Sequence, residues 1–324
     1  MAKSRFNLRS STSTTTSPLL QQGRVVATFG RHVLVEDDAG QTRICHPRGK
    51  KNEAVVGDRV AWHPSQDEGT IEQVLPRRNV FYRQDEIRTK SFAANIDQVL
   101  ILLAAEPEFS ERQLTRALIA AEATGIQPLI VLNKLDLLER FERAWTRLEP
   151  YRAMNYAVMP LGLHEPQHQL SKDTLYQHLQ GRVTLVLGPS GVGKSTLINY
   201  FVPHAQALTN VVSKALNSGK HTTTATRWYW IDEIARDTVL IDSPGFQEFG
   251  LHHIQAPMLA QLMPDLRVHL GHCKFANCTH LHEPGCGVLQ HLQTRDSLQM
   301  MNISDNRYQI YKELFVEMSA RPQW

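Results

Sequence analysis

The chain has 324 residues, 42% of them hydrophobic and 21% charged, enough for two or three packed domains, so wholesale disorder is excluded. Lysine and arginine number 35 against 32 acidic residues, and the excess is local: residues 1–90 carry +5 and residues 91–324 carry −2. The longest apolar run, Val99–Ala105, has the length of a buried strand rather than a membrane span, and no apolar secretory stretch opens the chain, so a cytoplasmic protein with no membrane partner is expected.

Residues 1–20 are dotted with lysine and arginine and then run almost purely serine and threonine from Ser10 to Ser17. Such a segment cannot bury a core and reads as a disordered tail. Its composition suits an organellar transit peptide or a basic arm that follows phosphate backbones. Residues 21–82 form the next unit. Five short alternating runs, Arg24–Phe29, His32–Glu36, Gln41–Cys45, Asp58–His63 and Gly69–Leu75, are separated by turn signals and predict a small closed barrel of the OB type. Nine basic residues decorate it (Arg24, Arg31, Arg43, Arg48, Lys50, Lys51, Arg59, Arg77 and Arg78), which points to RNA binding. Cys45, isolated in a strand, reads as a small core residue.

Residues 83–250 alternate strand and helix. Strands are predicted at Val99–Ala104, Pro128–Leu132, Tyr156–Leu161, Arg182–Leu187, Arg227–Ile231 and Thr238–Ile241, with helices at Glu111–Thr124, Glu139–Leu148, Ser171–Leu179 and Gly193–Phe201. That pattern implies an α/β unit, a mainly parallel, doubly wound sheet with helices on both faces. Residues 251–324 are rich in histidine and cysteine and then helical over Ser304–Ser319, a third and smaller unit.

Gly188-Pro-Ser-Gly-Val-Gly-Lys-Ser195 fits G-x-x-x-x-G-K-[ST] between a strand and a helix, the context a phosphate-binding loop requires. Its glycines let backbone N–H groups face phosphates at a helix N-terminus. Lys194 is expected to reach the β- and γ-phosphates and Ser195 to ligate Mg²⁺. Asp242-Ser-Pro-Gly245 follows another apolar strand, so Asp242 can hold Mg²⁺ through water while Gly245 offers its N–H to the γ-phosphate. Asn133-Lys-Leu-Asp136 supplies a carboxylate able to accept from guanine's ring N1–H and exocyclic amine, donors that adenine lacks, which selects GTP over ATP. Gly219-Lys-His-Thr-Thr-Thr224 stands where a switch loop closes on Mg²⁺, with Thr223 favoured over Thr222 and Thr224.

Cys273, Cys278 and Cys286 with one histidine from His272, His280 or His282 make a closed tetrahedral donor set for one structural Zn²⁺.

The order of these motifs is permuted. The guanine motif precedes the phosphate loop, which precedes the switch and the aspartate loop. A pocket assembles in space, so a permuted chain can build it, with new ends that must be anchored by folded neighbours. Switch II then runs straight into the C-terminal unit, and loss of the γ-phosphate can reorient that unit against the barrel.

With Val56-Gly-Asp-Arg-Val60, Pro76-Arg-Arg-Asn79 and Lys220-His-Thr-Thr-Thr224 added to these motifs, the sequence resembles the circularly permuted, ribosome small-subunit-dependent GTPases of the RsgA (YjeQ) family over residues 22–320. The resemblance implies a barrel, a permuted GTPase domain and a zinc domain that together bind the small ribosomal subunit and its rRNA late in assembly. It implies slow hydrolysis of GTP to GDP, faster on the subunit, by a monomer. It favours His280 as the fourth zinc ligand. Nucleotide contacts are expected from Asn133, Lys134, Asp136, Gly188, Ser190, Gly191, Val192, Gly193, Lys194, Ser195, Thr196, Asp242 and Gly245, with Ser195 and Thr223 on Mg²⁺. In the family a serine-bearing loop usually meets the guanine carbonyl; here Met159-Pro-Leu-Gly162 stands there, and Pro160 has no N–H, so Leu161 or Gly162 would have to donate.

In-line attack of water needs an orienting group. Phe246 occupies the position where many GTPases place a glutamine, and its ring cannot polarise water. His221 is the expected replacement, with Gln247 behind it, so the catalytic set is His221, Lys194 and Thr223. Two other readings share these residues: a nucleic-acid adaptor that holds guanine nucleotide as a structural ligand, and a permuted GTPase of another RNA process.

Overall fold

The computed structural model describes residues 20–29, 32–49, 54–65, 68–84, 89–163, 168–205, 226–244, 250–294 and 302–320. Five strands, β1 (Gln21–Phe29), β2 (His32–Asp37), β3 (Thr42–Pro47), β4 (Arg59–Pro64) and β5 (Gly69–Val74), pair in the order β1-β2-β3-β5-β4. A further β4–β1 pairing closes the barrel, so the OB-type architecture read from alternation is the one observed. Val25, Val33, Val35, Cys45, Val60, Trp62 and Ile71 fill its interior, and Cys45 is a core residue as expected.

A hairpin that the sequence did not announce follows: β6 (Val80–Gln84) and β7 (Thr89–Ala94). Val56 bridges to Ala93, and a Cβ on Gly57 would lie 2.1 Å from the carbonyl oxygen of Ala94 at φ +92°, so only glycine allows this seat against the barrel.

The central sheet is built from β8 (Gln98–Ala104), β9 (Gln127–Asn133), β10 (Ala157–Pro160), β11 (Val183–Leu187), β12 (Arg227–Trp230) and β13 (Val239–Asp242). Its order is β10-β9-β8-β11-β13-β12; the first five strands are parallel and β12 runs antiparallel. Period-two alternation sends Val99, Ile101 and Leu103 into one apolar cluster and Leu100, Leu102 and Ala104 into another, so both faces are covered. Beside β12 lies β1 of the barrel, through Ala27 opposite Arg227, which makes barrel and central sheet one continuous eleven-stranded sheet.

The helices are α1 (Glu111–Thr124), α2 (Leu138–Arg147), α3 (Glu149–Ala153), α4 (His168–Leu179) and α5 (Lys194–Phe201). Ser110 caps α1 by accepting from the Gln113 N–H, and Gly125 ends it in the left-handed region. Beyond residue 250 come three short 3₁₀ turns, α6 (Pro264–Arg267), α7 (Gly287–Thr294) and α8 (Asp305–Ser319). Arg307 on α8, only 2% exposed, holds Asp265 through two bonds of 2.8 and 2.9 Å and donates to Thr115 Oγ1 on α1 at 2.7 Å. Arg112 and Arg116 of α1 pair with Glu317 of α8, and Arg267 with Glu122. The C-terminal unit is therefore seated on α1.

Candidate nucleotide and metal sites

The phosphate loop emerges at the carboxyl end of β11. A Cβ on Gly188 would fall 2.6 Å from the Leu102 carbonyl, Gly191 sits at φ +82° and Gly193 at φ +101°. These are positions where close approach or handedness admits glycine. Gly193 begins α5, whose N-terminus has neither a side-chain cap nor an acidic residue in its first turn. Its N–H groups thus face outward at the positive end of the helix dipole. Ser190, Ser195 and Thr196 are exposed on the same rim. Lys194 Nζ donates to the carbonyls of Gly188 (2.8 Å) and Pro189 (3.2 Å). Burial lowers its pKa, with Asp242 opposing that shift.

The guanine motif lies at the carboxyl end of β9, on the same edge of the sheet. Asn133, 4% exposed, donates from Nδ2 to the Val192 carbonyl at 2.9 Å, so it fastens the phosphate loop to the end of the strand that leads into Asp136. A Cβ on Gly193 would stand 2.5 Å from that nitrogen, which gives Gly193 a second reason to be glycine. Lys134 takes φ +69° and its carbonyl accepts from the Leu137 N–H, turning the chain so that Asp136 is exposed at the rim.

The loop after β10 departs from the expectation set for it. The Leu161 N–H already donates to the Leu132 carbonyl at 2.8 Å, and the Gly162 N–H to Ser171 Oγ at 3.0 Å. Both donors considered for the base carbonyl are spent inside the protein. The reason is local: Pro160 ends strand pairing, and the next two amides anchor the loop to β9 and α4.

Asp242 closes β13 beside β11. Burial raises its carboxyl to a pKa of about 6, against the pull of Lys194 and then Arg227. Ser243 Oγ donates to the Val186 carbonyl at 2.7 Å and pins the loop to the strand that feeds the phosphate loop. Asp242, Lys194 and the N-terminus of α5 therefore meet at one edge. His221, Thr222, Thr223, Thr224, Gly245, Phe246 and Gln247 lie outside the described residues.

At the other end of the chain, Cys273, Cys278, His280 and Cys286 each direct one donor atom into a group whose members all lie within 4.8 Å of one another. His280 Nδ1 is 3.5 Å from the sulfurs of both Cys273 and Cys286. Metal bonds of about 2.3 Å to sulfur and about 2.0–2.1 Å to nitrogen put tetrahedral ligand atoms roughly 3.5–3.8 Å apart, so the donor set fits one zinc ion. The N–H groups of Gly287 and Leu289 point at the sulfurs of Cys273 and Cys286, 3.4 and 3.5 Å away, which favours thiolate. His280 is held at φ +59°, and its carbonyl accepts from the Tyr308 hydroxyl at 2.8 Å. Glu283 takes the N–H groups of Thr279, Leu281 and His282; burial works against its charge, but these donors and the Thr279 hydroxyl keep it well below the usual carboxylate range. Burial pushes the Cys278 thiol up to about 12.

Among the described residues, several of the barrel's basic side chains are engaged with their own fold. Arg48 pairs with Glu72, Arg59 with Asp38, Arg77 with buried Asp58, and Arg78 with Asp97. Arg24 stacks on Trp228 and Trp230, with its guanidinium carbon 4.6 and 5.3 Å from the ring centroids. Of these carboxylates, Glu72 lies on β5, Asp38 follows β2, and Asp58 and Asp97 immediately precede β4 and β8.

One edge of a parallel sheet thus carries a phosphate loop, a guanine-type loop and an aspartate loop, encountered along the chain in permuted order. This is the arrangement of a circularly permuted GTPase. A family profile described as RsgA GTPase matches residues 74–252. The small ribosomal subunit biogenesis GTPase RsgA of Variovorax paradoxus (strain S110) is 63% identical over 305 residues, covering 94% of this chain and 95% of that one. Its counterpart from Paraburkholderia xenovorans (strain LB400) is 48% identical over 301 residues, covering 92% and 93%. Among solved structures, YjeQ from Thermotoga maritima superposes with a TM-score of 0.69 at 27% identity, covering 94% of this chain and all of that one. YloQ, a circularly permuted GTPase, does so with a TM-score of 0.66 at 26% identity, covering 98% and all. The chain belongs to the RsgA GTPase family, an enzyme family of GTP hydrolases.

Proposed function

We propose that this chain hydrolyses GTP in the biogenesis of the small ribosomal subunit, as the names of its relatives say of them. The reading of the site is carried by one observation, the buried bond from Asn133 Nδ2 to the Val192 carbonyl, which joins the guanine motif to the phosphate loop. Guanine is read by the Asp136 carboxylate. Phosphates are bound by the N–H groups of Gly188–Thr196, with Lys134 along the base and Gly245 at the γ-phosphate. Mg²⁺, when bound, offsets charge between the β- and γ-phosphates; Ser195, Thr223 and Asp242 would hold it. Lys194 exchanges its two carbonyl partners for phosphate oxygens, and His221 orients the attacking water. With Phe246 in place of an orienting glutamine, turnover without the subunit is slow.

The Cys273, Cys278, His280 and Cys286 cluster holds one structural Zn²⁺, and with no open position it supplies no catalysis. The barrel and the zinc unit contact rRNA of the small subunit, and the protein acts as a cytoplasmic monomer. No helix among the described residues is long and apolar enough to cross a membrane.

Calorimetry with GTP, GDP and ATP tests the base assignment, with guanine nucleotides expected to bind at least about a hundredfold more tightly. Hydrolysis with and without purified small subunits, and co-sedimentation under GDP and a non-hydrolysable GTP analogue, test the role. Equal binding of ATP, or rates indifferent to the subunit, would overturn it.

A further inference from the structure

Arg227 occupies an unusual place. It is the first residue of β12, the strand entered directly from the segment that holds the expected switch, and it is 8% exposed. Across β13 its register partner is Asp242, and opposed residues of an antiparallel pair share a face. Across β1 its register partner is Ala27, and its guanidinium carbon lies 5.0 Å from the centroid of the Phe29 ring. One buried cation therefore touches the barrel on one side and answers the aspartate of the nucleotide site on the other. The seam it occupies also carries the Thr28 N–H donating to the Thr226 carbonyl at 3.4 Å, the stack of Arg24 on Trp228 and Trp230, and the Trp230 Nε1–H donating to the Glu36 carboxylate at 3.2 and 3.3 Å.

We propose that Arg227 is a positioning residue that holds the Asp242 carboxylate for the hydrolysis reaction and ties the charge state of the nucleotide site to the seating of the barrel. The physical basis is charge balance in a poorly solvated corner. Without nucleotide, Lys194 and Arg227 together answer Asp242. When phosphates draw Lys194 away and a cation takes up Asp242, the attraction on the guanidinium changes while its stack on Phe29 remains. A shift of the guanidinium then reaches β1 directly, because Phe29 and Ala27 belong to the barrel strand that pairs with β12. This rests on the GTPase reading given above.

The test compares wild type with Arg227→Gln, Arg227→Lys and Phe29→Leu. Binding of GDP and of a non-hydrolysable GTP analogue is measured by calorimetry first. Hydrogen exchange of the backbone amides across 24–29 is then followed in each nucleotide state, together with kcat and the Mg²⁺ concentration for half-maximal rate. In wild type the two states are expected to differ severalfold in exchange at Thr28. Arg227→Gln should abolish that difference and raise the Mg²⁺ requirement about tenfold, while Arg227→Lys restores the Mg²⁺ requirement through its charge. Phe29→Leu should keep the Mg²⁺ requirement and lose the exchange difference. If wild type binds guanine nucleotide but Arg227→Gln matches it in both exchange and Mg²⁺ requirement, the inference falls and the GTPase reading stands. If wild type binds no guanine nucleotide, both fall.

Discussion

Asp136 is the residue on which base choice turns, and its chemistry can be inverted. Replacement by asparagine turns one acceptor into a donor, which no longer suits guanine's amine but suits the carbonyl that xanthine carries at the same carbon. Asp136→Asn is expected to lose GTP affinity by at least about a hundredfold and to gain xanthosine triphosphate affinity in return, as competition binding would show. Gly193 makes a sharper structural case. Alanine there would carry its Cβ to 2.5 Å from Asn133 Nδ2 at φ +101°, so Gly193→Ala should cost about 1–3 kcal/mol in urea unfolding and weaken nucleotide binding as the Asn133–Val192 bond gives way. Asp242 yields a pH signature. Its folded pKa of about 6 lies above that of an unfolded aspartate near 3.9, so between these values the folded state binds more protons, and its stability falls as pH rises. The cost is complete above about pH 6 and absent below about pH 4. Asp242→Asn, free of nucleotide, should therefore be more stable than wild type by about 1–2 kcal/mol at pH 7.5, with the gap closing toward pH 4 in matched urea titrations.

Among elements, legibility tracked how local the determinants are. The helix over Glu111–Thr124 could be read to the residue because Ser110 and Gly125 punctuate it from within the chain. The phosphate loop could be read because all its determinants are contiguous. The hairpin of β6 and β7 was missed: Phe81 and Phe92 are buried in a core shared with α1 and β8, and nothing in its own alternation marks that. Helix α7 was missed for a related reason. The Leu289 N–H in its first turn points at Cys286 Sγ, so its cap is a cysteine of the metal-ligand cluster rather than one of the usual capping residues. Arg227 was read only as the start of a strand, since its meaning depends on Asp242 and Phe29, which the fold alone makes neighbours. The dependence of α7 and its flanking loop on the cluster is testable. Elemental analysis is expected to find one zinc per chain; Cys278→Ser, or removal of metal by a chelator, should abolish it and increase hydrogen exchange across 273–292, while GTP binding persists.

At the scale of the whole molecule, two seams join three units. The barrel meets β12 through one antiparallel register pair, cation–π stacking and the Trp230 Nε1–H donating to the Glu36 carboxylate, whereas the C-terminal unit, braced internally by the buried Arg307–Asp265 pair, meets α1 through Arg307 on Thr115, Arg112 and Arg116 on Glu317, and Arg267 on Glu122. Arg307 reaches Asp265, Thr115 and the Tyr151 ring from one helix, and burial lets each bond act with little competition from water. Such a pair adds little over a well-packed apolar substitute, yet losing one partner strands a charge in the interior. Arg307→Met should accordingly destabilise the protein by about 3–5 kcal/mol, because Asp265, at 1% exposure, has no route to water. The double variant Asp265→Leu with Arg307→Met should recover most of that loss, and a double-mutant cycle in urea would measure the coupling. If the single and double variants unfold alike, a stranded Asp265 charge is not what costs stability. A recovery would show that the pair braces the C-terminal unit from within, its hold on α1 resting on Thr115 and on the pairs of Glu317 and Glu122, while the seam at β1 and β12 remains the place proposed above for nucleotide state to act on the barrel.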